Sequence, residues 1–188
     1  NTSQRLSMVG GWAWNVEAQT MYWTEEAYRI HDFELGEIES GSTEHITRSA
    51  ECYGPEDRPL VLAAFHRCME DGEPYDLEFP FTTVKGRQLW VRTTARPVSE
   101  SGKIVRVIGN IMDITERKRA EKDRYELTER YRLANKATND VIWDWDVIQD
   151  TQRWNEVGTA VFGWTEIVEH PVSAHWWVER VHPDDQER

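Results

Sequence analysis

The sequence predicts an α+β fold: a five-stranded antiparallel sheet with helices on one face, then a long connector helix and the front of a second domain. The first observation is the order of elements, because two short alternating segments open the chain and three more, at residues 75–112, follow a helical segment. The second is a run of helix formers without Gly or Pro from residue 116 to 133. The third is a tryptophan pattern near the start of the chain that recurs, with the same internal spacing, at residues 143–154.

The opening strand is predicted from bulky residues that alternate with small or polar ones and so share one face: Trp12, Trp14 and Val16. A short strand follows near residues 21–23, and Thr24 is placed to cap a helical turn over residues 27–30. Residues 36–50 are polar and contain Gly, which predicts short helical turns and loops.

The central helix is predicted to open at Pro55 and to end before Gly72. Its apolar side chains recur at helical spacing and form one stripe: Val61, Ala64, Phe65, Cys68 and Met69. Three consecutive strands then close the domain, because bulky and polar residues alternate over residues 75–81, 89–96 and 104–112. Arg92 and Arg96 on the sheet are expected to pair with the acidic junction after the last strand.

The connector helix is predicted over residues 116–134. Asp113 and Glu116 have capping-box spacing, so this helix is expected to begin as the last strand ends. A thin apolar seam has coiled-coil spacing: Ala120, Leu127, Tyr131 and Ala134. Such a seam would join two chains weakly, and a solvated single helix explains the pattern equally well.

The internal repeat comprises six identities at one constant offset: Trp12/Trp143, Trp14/Trp145, Val16/Val147, Thr20/Thr151, Trp23/Trp154 and Glu25/Glu156. Two strands are therefore predicted within residues 141–154, but the three strands that would pair beside them have no counterpart in the sequence. Trp143 and Trp145 should then be exposed. We expect this second portion to be held by another chain, through strand addition or swapping, or to be poorly ordered.

Composition excludes several classes of function. There are 22 Lys and Arg against 34 Asp and Glu, a net charge of −12, which argues against a nucleic-acid binder. No apolar run approaches the ~20 residues of a membrane-spanning helix, and no signal peptide opens the chain. The two cysteines, Cys52 and Cys68, form no paired motif, which favours a reducing cytoplasm. Because the first residue is Asn1, we expect an excerpt of a longer protein.

Five segments, taken in order, resemble the Per-Arnt-Sim (PAS) family in its fold subtype 3, which ends in the Asp-Ile-Thr (PAC) motif: residues 11–14, 54–58, 75–79, 86–91 and 113–118. The resemblance implies a complete PAS domain at 5–115, a signalling helix at 116–134 and the N-terminal part of a second PAS domain at 135–188. The family pattern has His at the position of Gly54, so the first domain departs from the pattern there. The second copy follows the pattern with His182.

A sensory role follows from the resemblance, because family members relay signals through the helix that leaves the last strand. The implied relay junction comprises Asp113, Thr115 and Glu116, and the implied effector in the same chain is a histidine kinase or, as second choice, a diguanylate cyclase. No catalytic constellation is present, so we expect no enzyme activity in this chain. Homodimerisation through the connector helix or the sheet is expected. A purely structural dimerisation scaffold and an enzyme with an internal cofactor remain the alternatives.

Some family members enclose a ligand cavity, for which five aromatic residues are candidates: Trp14, Tyr28, Phe65, Phe79 and Trp90. Packing of the core is the favoured explanation of these residues, and their size predicts an empty or very small cavity. No cofactor is expected. His66 lies about 140° from Val61 on the central helix and should face solvent, which argues against haem ligation.

Flavin is not expected either, because the family's Asn-Cys-Arg-Phe motif is absent. Cys68 lies on the apolar stripe, where packing explains it, and Cys52 is a poor substitute for the reactive cysteine. The remaining candidates for a metal site, His170, His175 and His182, are interpreted as ordinary loop residues without matching ligands.

Overall fold

The computed structural model describes residues 9–138 and 140–185, with the side chains of 134–138, 168 and 169 outside the description. The chain divides into two compact units, with the boundary between Ala120 and Glu121. Among the described residues, no helix is both long and apolar enough to cross a bilayer.

The described residues of the first unit form five strands and three helices, and a fourth helix leaves the last strand. The elements are β1 (Val9–Asn15), β2 (Thr20–Trp23), α1 (Glu25–His31), α2 (Glu44–Glu51), α3 (Arg58–Glu70), β3 (Tyr75–Thr82), β4 (Gln88–Glu100), β5 (Lys103–Asp113) and α4 (Thr115–Thr138). The sheet order is β2-β1-β5-β4-β3, with every neighbouring pair antiparallel. The predicted PAS-like α+β fold is confirmed.

Alternation along the strands determines which side chains face the helices. Leu89, Val91, Thr93 and Ala95 are all buried, whereas the intervening residues of β4 are more exposed. The predicted stripe of α3 is also confirmed, because Val61, Ala64, Phe65 and Cys68 are buried. The Phe65 ring meets Trp12 and Trp14 edge-on, with ring centroids 5.9 and 6.2 Å apart, so α3 packs directly on β1.

Two glycines allow close approaches inside this core. A Cβ on Gly109 would lie 2.3 Å from the Trp12 ring, so the absence of a side chain at Gly109 makes room for the opposing tryptophan. A Cβ on Gly10 would lie 2.5 Å from the Cα of Ala27, so α1 packs directly on the backbone of β1. Any larger residue would separate these elements.

Two local predictions are wrong in detail. The central helix begins at Arg58 rather than Pro55, and residues 55–57 form a turn. Pro59 takes the early helical position where a missing N–H is harmless, and the Arg58 guanidinium bonds the Ala50 carbonyl at 2.9 Å. Thr24 makes no side-chain cap on α1, because its hydroxyl accepts the Gly11 N–H at 2.9 Å and ties the helix start to β1.

Beyond the boundary in α4, the part of the second unit that the structure describes forms one hairpin and short helices: β6 (Trp143–Asp146), β7 (Thr151–Trp154), α5 (Val157–Phe162), α6 (Glu166–Glu169), α7 (Ala174–Val178) and a 3₁₀ turn (Pro183–Asp185). Both strands predicted within residues 141–154 are present. Their register repeats that of β1 and β2, because Trp143 lies opposite Trp154 as Trp12 lies opposite Trp23.

The repeat extends to irregular features at the same offset along the chain. They are the left-handed residues Gln19 and Asp150, the isolated bridges Met21–Gly41 and Gln152–Val172, the side-chain bonds Thr24 to Gly11 and Asn155 to Ile142, and the left-handed helix ends Asp32 and Gly163. The geometric repeat therefore reaches at least residue 172.

Candidate functional site

A small cavity lies in the first unit between the inner face of the sheet and α1–α3. Its volume is about 70 Å³, well below the roughly 300–1,000 Å³ of common ligand pockets and enough for a few water-sized molecules. Residues from both layers form the walls, among them Trp12, Trp23, His31, His45, Ser49, Tyr53, Phe65, Tyr75 and Thr93. The small size agrees with the expectation from the large side chains.

Of the five aromatic candidates, the structure brings only Phe65 to the cavity wall. Trp14 packs with Phe65, Tyr28 packs in a separate buried cluster, and Phe79 packs beside the cavity. Trp90 is 37 % exposed on the outer face. The alternation of β4 accounts for this position, because both neighbours of Trp90 point inward.

Sequence reasoning missed a buried histidine on α1. His31 is 2 % exposed, with Nδ1 2.7 Å from the Ala27 carbonyl oxygen and Nε2 2.9 Å from the Ser49 hydroxyl. Because a carbonyl can only accept, Nδ1 donates and Nε2 accepts from Ser49. Desolvation by burial lowers the pKa of His31 to about 4, so the ring is neutral near pH 7.

A second buried histidine, His45, makes the matching pattern from α2. Its Nδ1 donates to the Ser42 carbonyl at 2.8 Å, and its Nε2 accepts from the Tyr28 hydroxyl at 2.7 Å. Burial raises the pKa of Tyr28, which keeps that hydroxyl protonated. The Trp23 ring stacks on His31 at 4.3 Å and meets His45 edge-on at 4.8 Å, so the three rings form one aromatic cluster.

The opposite wall presents two tyrosine hydroxyls. Burial raises the pKa of both Tyr53 and Tyr75, and hydrogen bonding to Thr93 opposes that rise only in part. The cavity walls include no Asp, Glu, Lys or Arg among the described residues. The polar side chains that line the cavity therefore include no carboxylate, ammonium or guanidinium group among the described residues, a lining that suits water or a very small uncharged molecule.

The predicted relay junction lies where β5 passes into α4. An Asp113 carboxylate oxygen accepts the N–H of Thr115 at 2.9 Å and its hydroxyl at 2.5 Å. The Thr115 hydroxyl in turn accepts the Trp90 N–H at 3.0 Å, and the Trp90 carbonyl accepts the Ile114 N–H at 2.8 Å. Glu116 is exposed in the first turn, where its charge suits the helix dipole.

A cluster that we call the exit clamp joins α4 to the outer face of the sheet: Glu78, Trp90, Arg117 and Lys118. Glu78 on β3 lies 2.5 Å from the Arg117 guanidinium and 2.7 Å from the Lys118 ammonium. These bonds, led by that from Lys118, hold the pKa of Glu78 below its usual range. The Lys118 ammonium also lies 5.0 Å from the centre of the Trp90 ring.

The expected pairing of Arg92 with the junction is wrong. Arg92 forms a bidentate pair with Asp76, which lies on the same outer face of the neighbouring strand. Asp76 lies diagonal to Arg92, whereas Glu78, which is directly opposite Arg92 in the strand register, is engaged by Arg117 and Lys118. The carboxylate that does reach α4, Glu78, was not singled out from the sequence.

The remaining candidate residues lie apart from the cavity. His66 faces solvent on α3, as expected. Cys52 and Cys68 are free and buried, and burial raises the pKa of Cys52 to about 11 and that of Cys68 above its usual value. Within residues 9–138 and 140–185, no three His, Cys, Asp or Glu side chains converge as a metal site would require.

Comparison with known proteins gives relatives on both sequence and structure. The chain is 30 % identical to a solved sensory box histidine kinase/response regulator from Burkholderia thailandensis, with a TM-score of 0.53, and the match covers 70 % of this chain and 95 % of that one. An RNA-binding light-oxygen-voltage receptor, at 18 % identity and a TM-score of 0.53, shares the fold over 71 % of this chain and 36 % of that one.

Two curated relatives are much longer proteins. A probable diguanylate cyclase of Escherichia coli is 24 % identical over 84 % of this chain, and a blue-light-activated histidine kinase of Brucella ovis is 29 % identical over 62 %. The matched regions span 14 % and 22 % of these relatives. The family model described as PAS fold matches residues 20–111. With the confirmed sheet topology, these similarities show that the chain belongs to the PAS fold family.

Proposed function

We propose that this chain is a non-catalytic sensory module that relays the state of its core through α4 to an effector domain in the same protein. The observation that carries the proposal is the double backbone contact of Trp90 with Ile114 and Thr115, which attaches the start of α4 to β4. Histidine kinases and a probable diguanylate cyclase among the relatives support a histidine kinase as effector, with a diguanylate cyclase as second choice.

The path from core to helix is short. On β4, Val91 is buried in the core and Thr93 lies on the cavity wall. Trp90, on the same strand, holds the first residues of α4. A ligand, a redox change or a partner that favours one position of β4 would thereby bias the helix start. Such an input shifts the equilibrium between two positions of β4 only if it binds the protein more tightly in one position than in the other.

The input to the first domain is proposed to involve neither haem nor flavin. The cavity of about 70 Å³ is much smaller than either group, and neither cysteine is among the described residues that line it. The two buried thiols are free, which supports the proposed location in a reducing cytoplasm.

Replacing Asp113 with Ala tests the relay. The carboxylate holds Thr115 by two bonds, so its loss should expose the amides of residues 115–118 to faster hydrogen exchange and uncouple input from output in the complete signalling protein. Asp123→Ala, an exposed substitution farther along α4, is the matched control and should change neither property. Unchanged exchange and unchanged signalling in Asp113→Ala would contradict the proposal.

A dimerisation scaffold is the second candidate, favoured by the exposure of large side chains on α4. Leu127 and Tyr131, which belong to the predicted seam, are 60 % and 68 % exposed. The side chain of Ala134, another residue of that seam, lies outside the described residues. Sedimentation of Leu127→Glu distinguishes the candidates. The scaffold is supported if the parent chain sediments as a dimer, if Leu127→Glu abolishes that dimer, and if no ligand changes the sedimentation of the parent chain.

A further inference from the structure

Two buried histidines link α1 to α2 by reciprocal hydrogen bonds. His31 on α1 accepts from the Ser49 hydroxyl of α2 at 2.9 Å, and His45 on α2 accepts from the Tyr28 hydroxyl of α1 at 2.7 Å. The exposed fractions of the two histidines are 2 % and 0 %. Each helix therefore supplies one imidazole and one hydroxyl to a cluster that we call the histidine latch: Tyr28, His31, His45 and Ser49.

Few apolar side chains hold α2 on the core. Within residues 44–51, all of which the structure describes, Ala50 is the one buried apolar residue, and Ile46 is partly buried. Four residues of this helix form a wall of the cavity of about 70 Å³: His45, Ile46, Ser49 and Ala50. Segments with few buried apolar contacts open at a lower free energy than the core around them. The attachment of this wall therefore depends strongly on the polar bonds of the histidine latch.

The neighbours of α2 are fastened independently of the latch. The helix α1 packs directly on the backbone of β1, and beyond its end Asp32 pairs with Arg87 through bonds of 3.1 and 2.8 Å. Upstream of α2, Gly41 bridges to Met21 on β2. Downstream, the Arg58 guanidinium bonds three backbone carbonyls at the end of α2. The helix α2 can therefore open and close between two fixed ends.

The surroundings of His31 disfavour its charged form. Burial lowers the pKa of His31 to about 4, and the bond to the Ala27 carbonyl opposes this shift only in part. Of the weaker influences, His45 on α2 lowers the pKa, and Asp32, which is paired with Arg87, raises it.

Asp32 aside, the described elements around the cavity offer no charged partner for a proton at His31. Rings contact the imidazole from β2, from β3 and from the segment after α1: Trp23, Phe81 and Phe33. Tyr53 and Tyr75 bring hydroxyls to the cavity wall, but no carboxylate lies there among the described residues. The charged residues of α2 pair at the surface, with one another and with Glu37: Glu44, Arg48 and Glu51. Water is therefore the partner that would stabilise a proton at His31, and α2 must move to admit it.

We propose that the histidine latch is sensitive to protons: acid releases α2 from α1 and opens this wall of the cavity while the sheet stays folded. Once α2 has opened, water reaches the His31 imidazole, and the pKa returns toward the ordinary value of about 6.5. The open state binds the proton more tightly than the closed state, so the open population grows as the pH falls. The latch is independent of the relay through α4, because its test follows α2 alone.

Native-state hydrogen exchange of the whole chain tests the latch, with protection factors that correct for the slower chemical exchange in acid. Between pH 7 and 5 the protection of the α2 amides should fall about twentyfold, because the closed state takes up the proton only near pH 4. Urea below the unfolding transition should leave the exchange of α2 unchanged and accelerate that of β4 and β5, since local opening exposes little surface.

His31→Gln keeps an acceptor for Ser49 but cannot titrate, so the fall in α2 protection between pH 7 and 5 should shrink to less than about threefold. Ser49→Ala removes the bond and keeps the imidazole, so α2 protection should be lower at every pH and still fall in acid. His66→Gln, at an exposed histidine on α3, is the matched control and should behave as the parent chain does.

The latch is refuted by any of three outcomes: α2 amides that exchange only when the strands unfold globally, α2 protection that does not respond to acid, or a full acid response retained in His31→Gln. If His31→Gln does not fold, the urea and pH series of the parent chain and of Ser49→Ala still decide, because a latch requires acid-dependent and urea-independent exchange of α2 in both.

Discussion

The two units open with the same hairpin but bury it to different extents. Trp14 and Trp145 hold equivalent positions in β1 and β6, yet their exposed fractions are 6 % and 40 %. In the first unit β5 pairs along the other edge of β1, whereas the described residues of the second unit place no third strand beside β6. The register and turn of the hairpin are therefore local properties, which the short segment determines by itself. The burial of the hairpin's side chains depends on strands that are distant in the sequence.

Interior chemistry is the second difference between the units. His31 and Met21 of the first unit correspond to Phe162 and Gln152 of the second. A hydrogen-bonding group in one unit therefore takes the place of an apolar group in the other, within one backbone frame. The following predictions test or sharpen these two contrasts, from the largest expected effect to the smallest.

Phe65→Ala should lower the free energy of unfolding of the first unit by about 3–5 kcal/mol, because Phe65 fills the space between Trp12 and Trp14. Phe162→Ala, at a ring that is 40 % exposed, should cost about 1 kcal/mol or less in the second unit. Urea unfolding followed by tryptophan fluorescence measures both changes. Equal losses would contradict the contrast in burial.

Gly109→Ala should destabilise the first unit by about 2–3 kcal/mol, because the added methyl group overlaps the Trp12 ring. The control is Gly54→Ala, where the new Cβ would meet only the Asp57 carboxylate at an ordinary 3.5 Å. Thermal unfolding should separate the two variants. If Gly109→Ala is as stable as Gly54→Ala, both Trp12 and the Thr94 carbonyl oxygen, which the new Cβ would also meet at 2.3 Å, can move aside and the close approach is not required.

Acid should destabilise the first unit through His31. Burial lowers the folded-state pKa of His31 to about 4, and the hydrogen bond to the Ala27 carbonyl opposes that shift only in part. Between pH 6.5 and 4 the unfolded chain binds more protons at this site, so stability falls as pH falls through that window, by about 3 kcal/mol.

His31→Phe, which introduces the residue of the second unit, should flatten the pH dependence between 6.5 and 4. Urea unfolding at a series of pH values gives the slope for both proteins. A variant that keeps the full slope would assign the acid sensitivity to other groups.

Glu78→Gln should have the smallest effect, about 0.5–1 kcal/mol, because the exit clamp is partly exposed and screened by solvent. Its expected signature is faster hydrogen exchange in the first turn of α4, with the core strands unchanged. Glu126→Gln, which breaks the exposed pair with Lys122 at 3.6 Å on α4, is the matched control. The exit clamp is dispensable if the two variants exchange alike.

Short-range patterns allowed much of the fold to be predicted. Alternation located the strands and placed Val91 inward, helical spacing identified the buried face of α3, and the tryptophan repeat located β6 and β7. The solvent-facing position of His66 followed from the same geometry. These properties depend on residues a few positions apart, whose relative orientation is determined by the helix or strand period.

The functional constellations were decided by the tertiary structure. His31 reaches Ser49 across 18 positions of sequence, His45 reaches Tyr28 across 17, and Glu78 reaches Arg117 across 39. No local period relates such partners, so composition and spacing gave no signal for them. By itself the sequence determined which face each element buries and that the opening hairpin occurs twice. Packing of the sheet against the helices decided which polar groups meet and how they are charged, because desolvation and hydrogen-bond partners arise only when distant segments come together.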